Sequence, residues 1–114
     1  MAELNDVAFG GFMVSRNIMD GRPAGYAFRE ESSLPQLNGW TLYSVDDDED
    51  WVNEPSNFVI VGATTLASRV PVMVEIFDAP CGTDLAFTYT EGVHTGFWDL
   101  AHDREVSIEQ ILAG

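Results

Sequence analysis

A chain of 114 residues and 12.6 kDa predicts one domain, with 46% hydrophobic and 11% aromatic residues excluding a disordered acidic tail. Nineteen acids stand against five basic residues, all arginine (Arg16, Arg22, Arg29, Arg69, Arg104), so nucleic acid and anionic membranes are excluded as partners while basic proteins or cations are favoured. No apolar run approaches the roughly 20 residues of a membrane span, the acidic start MAELNDVAFGG does not read as a secretory leader, and the single Cys81 fits a reducing compartment: the expectation is a soluble, cytoplasmic domain over 1–114.

In chain order, Phe12-Met13-Val14 after Gly10-Gly11 reads as a first strand. Asp20-Gly21-Arg22-Pro23 reads as a turn, because Gly permits positive φ and Pro fixes its own. Gly25 to Arg29 resumes as a strand, and the two segments are expected to pair antiparallel. A polar loop over 31–39 leads to Trp40-Thr41-Leu42-Tyr43, whose alternation suits a half-buried strand. Phe58 to Val61 is a β-branched strand. Between Thr64 and Phe77, helical spacing is interrupted by Pro71, which predicts two short helical turns flanking the proline. Asp78 to Gly82 is a turn, Leu85 to Tyr89 a strand, and Phe97-Trp98 the expected last strand. Ser107-Ile108-Glu109-Gln110 has the form of a capping box opening a helix through Leu112. The sum is a β-rich α+β domain, mainly antiparallel sheet with a few short helices.

The residue pattern points away from catalysis. Cys81, His94 and His102 lack the flanking sequence of a nucleophile, and His94, Asp99, His102 and Asp103 match no zinc spacing. Asp46, Asp48 and Asp50 could occupy the first, third and fifth places of a calcium loop. Trp51 then stands where the loop needs Gly, and Asn57 where it needs a bidentate Glu. Neither a catalytic set, a metal site nor a cofactor is therefore expected.

The prominent feature is charge beside aromatics. Six acids fall within the nine residues from Asp46 to Glu54. Trp40, Tyr43 and Trp51 bracket Asp46, Asp47, Asp48, Glu49 and Asp50, and these eight residues form the candidate partner-binding set. Carboxylates steer basic partners and aromatics concentrate binding energy. The alternative is a solvated acidic loop beside a strand whose Trp40 and Tyr43 point inward.

The segments GGFMVSRNI (10–18), GYAFREE (25–31), GWTLYS (39–44), NEPSN (53–57) and DAPCGT (78–83) occur in an order that resembles one bacterial family. That family was catalogued first as a domain of unknown function and later as immunity proteins of polymorphic toxin systems. The resemblance covers roughly residues 10 to 90, with Val45 where the family usually has Gly before the acids. It implies a cognate toxin as the partner and carries over no catalytic residue. A basic nuclease is the toxin type that suits an acidic inhibitor. The alternative is a small non-catalytic accessory or regulatory module that binds divalent cations.

Overall fold

The computed structural model describes residues 9–32 and 36–113. The acidic first residues and the centre of the 31–39 loop lie outside them. The described residues form a seven-stranded sheet with five short α-helices, the β-rich α+β arrangement that composition and alternation predict. In chain order these are β1 (Gly11–Ser15), α1 (Arg16–Met19), β2 (Ala24–Arg29), β3 (Leu37–Ser44), α2 (Glu49–Val52), a 3-10 turn (Pro55–Asn57), β4 (Phe58–Val61), α3 (Ala63–Ala67), α4 (Val72–Glu75), β5 (Asp84–Thr90), β6 (Val93–Asp99), β7 (Arg104–Val106) and α5 (Ile108–Ala113).

The strands lie in the order β4-β1-β3-β2-β5-β6-β7. Every pair is antiparallel except β1–β3. The expected β1–β2 hairpin does not form. After β1 the chain turns into α1, whose cap is the Ser15 hydroxyl accepting from Asn17 N. β3 then inserts between the two strands, placing Val14 beside Leu42 and Ala27 across from the same Leu42. Asp20 to Pro23 is a turn, as expected, but it joins a helix to a strand. Two further differences concern edges. β3 starts at Leu37, inside the expected loop, and β7 follows the strand taken as the last.

Side chains alternate across the sheet, so one face carries Phe12, Val14, Ala27, Trp40, Leu42, Leu85, Phe87, Phe97 and Val106. These join Ile18, Ala63, Leu66, Met73 and Ile111 from α1, α3, α4 and α5 in a single buried cluster. These four helices therefore cover one face. Pro71 separates α3 from α4, as its missing N–H dictates. The Ser107 N–H donates to Gln110 Oε1 and Gln110 N–H to Ser107 Oγ, at 2.9 and 3.1 Å, a reciprocal cap on α5.

Candidate functional site

The acid-rich segment leaves the end of β3 and runs into α2, and its carboxylates divide by task. Asp47 is half-buried and accepts three hydrogen bonds, from Ser44 N (2.9 Å), Ser44 Oγ (2.6 Å) and Asn17 Nδ2 (2.8 Å). Burial pushes its carboxyl up, but these donors more than offset that and hold it below the ordinary carboxylate value. Asp46 is exposed and pairs with the Arg22 guanidinium, whose hydrogen bond lowers the Asp46 pKa and raises that of Arg22. Asp48 caps α2 by accepting from Trp51 N at 2.8 Å. Glu49 and Asp50 are exposed in the first turn of α2. The segment is thus locally tied by Asp46, Asp47 and Asp48, and it presents Glu49 and Asp50 outward.

The three aromatics also part company. Trp51 is half-buried, its indole N–H donating to Ser15 Oγ at 3.1 Å and its carbonyl accepting from Asn57 Nδ2. Trp40 is 1% exposed, and its indole N–H donates to Phe77 O at 3.1 Å. It packs in the core beneath the helices and leaves the surface set. Tyr43, on the opposite pleat of the same strand, lies on the open face between Phe28 and Phe58, with ring centroids 5.3 and 5.6 Å away. Alternation along a strand sends Trp40 and Tyr43 to different faces even though both are three residues apart in sequence.

The open face holds residues that the sequence reading missed. Strand register aligns Tyr26 with Tyr43 and Phe28 with Thr41, while Ile60 faces Met13. Tyr26 is 44% and Ile60 60% exposed, and Trp98 joins them from β6. The available signal was the apolar character of both alternating sets in β2: Ala27 faces the core, yet its neighbours are Tyr26 and Phe28. A solvated sheet face would carry polar residues there.

Arg29 occupies the end of β2 opposite Trp40. The sequence, with Glu30 and Glu31 adjacent, suggests a carboxylate network, but its guanidinium donates to three carbonyls: Asn38 O (3.0 Å), Phe77 O (2.6 Å) and Ala79 O (2.8 Å). It also stacks at 5.0 Å over Phe77 and 5.8 Å over Trp40. Its role is to tie the 77–79 segment to the sheet. Cys81 is exposed in the following turn. His94 packs among Phe87, Tyr89 and Phe97, and His102 pairs with Asp99 at 2.8 Å. Among the described residues, no three His, Cys, Asp or Glu side chains gather as a metal-ligand set.

No curated protein sequence and no solved structure matches the chain. The family described as Immunity protein Imm33 domain matches residues 12–95. That span runs from β1 into β6 and takes in the acid-rich segment and most of the open face. The chain belongs to the Imm33 immunity protein domain family.

Proposed function

We propose that this protein acts in the bacterial cytoplasm as a non-catalytic inhibitor that binds and neutralises a basic cognate toxin domain of a polymorphic toxin system. The observation that carries the reading is the immunity-family match over residues 12–95, and the charge distribution supports the acid-rich segment as the surface that serves it. Glu49 and Asp50 project from a segment held in place by Asp46, Asp47 and Asp48, so the carboxylates are preorganised toward a cationic partner. Trp51 stands beside them with its indole already anchored on Ser15, and Tyr43 continues the contact onto the open sheet face. Where the toxin is a nuclease, such carboxylates occupy the basic site that otherwise receives phosphate. The excess of 19 acids over 5 arginines argues against nucleic acid and anionic lipid as direct partners.

The test is to search the gene neighbourhood for a large secreted protein with a variable C-terminal domain and to co-express that domain with this chain. Growth should be rescued, and the two purified proteins should form a stable complex. Loss of viability despite full expression of this chain, with no complex detected, would overturn the proposal.

A further inference from the structure

A groove of about 560 Å³ opens on the face of the sheet that the described helices leave open, a size within the ~300–1,000 Å³ range of ligand pockets. Tyr26, Phe28 and Tyr43 form its apolar part, and Glu30 and Asp84 contribute carboxylates beside them. Arg29 also borders it, but that guanidinium is engaged with the carbonyls of Asn38, Phe77 and Ala79 and with the Trp40 ring on the covered side. The groove therefore combines aromatic rings with acids whose neighbouring cation is already committed. We propose that it seats an arginine side chain of a basic protein partner, the guanidinium stacking on the tyrosine and phenylalanine rings and pairing with Glu30 and Asp84.

Charge complementarity selects this occupant. Planar guanidinium is the one protein cation that both stacks on aromatic rings and pairs bidentately with carboxylates. A second copy of this chain is disfavoured by the mutual repulsion of two molecules at net charge -14. Residues 1–8 of the chain itself bring Glu3 and Asp6 and no basic side chain. The local field is negative: burial raises the Tyr43 pKa, and the Glu30 and Asp47 carboxylates raise it further. Asp47 also ties the acid-rich segment to Ser44 at the end of β3, next in sequence to Tyr43 of the groove.

The inference rests on the toxin-binding reading for the partner's identity, but its first test uses no toxin. A blocked Gly-Arg-Gly tripeptide, titrated against the isotope-labelled full chain, should shift the Tyr26, Phe28 and Tyr43 ring signals saturably in nuclear magnetic resonance spectra. The citrulline counterpart, which lacks the charge, should shift them little. Tyr26→Ala and Glu30→Gln, both at exposed positions, should each weaken the arginine peptide about threefold or more while leaving the core signals in place. Shifts confined to residues 46–50, equal responses to citrulline, or ring signals that move with protein concentration alone would overturn the inference. Toxin binding at wild-type affinity by the Tyr26→Ala/Glu30→Gln double variant would also remove the groove from the interface and leave the immunity reading standing. A saturable arginine response in a protein that neutralises no toxin would uphold the groove and overturn the immunity reading.

Discussion

Asp47 shows how a residue that looks like one of five equivalent acids becomes a structural centre. Its donors come from β3 and α1, and they hold the carboxyl below its ordinary value of 3.8 despite burial. A folded-state pKa that is depressed stabilises the protein above the unfolded value, and that stabilisation is lost as pH falls through the folded value. Asp47→Asn should therefore cost about 1–3 kcal/mol at pH 7, because an amide nitrogen replaces an acceptor facing N–H and O–H donors. The difference from wild type should shrink below about pH 4. Urea denaturation at both pH values checks this, and an equal deficit at both would assign the effect to packing. Arg29 is a second residue whose partners differ from what its neighbours suggest. Arg29→Ala should lower stability by about 1–3 kcal/mol by leaving the Ala79 carbonyl without its donor and Phe77 O with the Trp40 indole alone. Arg29→Lys should recover only part, since a point ammonium cannot reach three diverging carbonyls and stack as well. An unchanged denaturation midpoint in Arg29→Ala would make the residue a bystander.

Among the elements, the strands with strong alternation and the two turns flanking Pro71 were legible because their signals are local. So was the α5 cap, where Ser107 and Gln110 satisfy each other's backbone groups. Strand pairing was not legible. Asp20 to Pro23 has the composition of a hairpin turn, and nothing nearby announces that β3 will enter between β1 and β2 as a parallel neighbour of β1. Parallel pairing joins distant segments and leaves no turn signature. β7, with three residues, is too short for any periodicity. The entry to β3 depends on Gly39, which has a φ of +88° and whose missing Cβ would lie 1.9 Å from Glu30 O. At this bend the Glu30 N–H donates to Gly39 O at 3.0 Å. Gly39→Ala should cost at least about 2 kcal/mol in chemical denaturation, through both positive φ and backbone contact. A loss below about 0.5 kcal/mol would mean that the strand entry shifts without penalty.

At the scale of the whole molecule, helices cover one face of the sheet, the other face carries exposed Tyr26, Ile60 and Trp98 among the described residues, and the acid-rich segment leaves the sheet at the end of β3. The sequence revealed the acid-rich segment because charge is visible in composition, but it did not separate acids that hold the segment from acids that face outward. It also placed Trp40 and Tyr43 in one set, whereas their two faces belong to the core and the surface respectively. That division sharpens the kinetic consequence. Charges that steer act on association and are screened by salt, whereas a buried ring acts on dissociation. Trp51→Ala should speed dissociation of the toxin complex and cost about 2–4 kcal/mol of affinity. The central claim, that this acidic surface captures a basic toxin, is tested most directly by association rates of the Glu49→Gln/Asp50→Asn variant measured in low and high salt. Among the described residues neither side chain caps or pairs as Asp46, Asp47 and Asp48 do, so folding should be unaffected. The account predicts association several-fold slower than wild type at ionic strengths near 0.01 M, with the gap closing above about 0.3 M. Association at wild-type speed in low salt would contradict it.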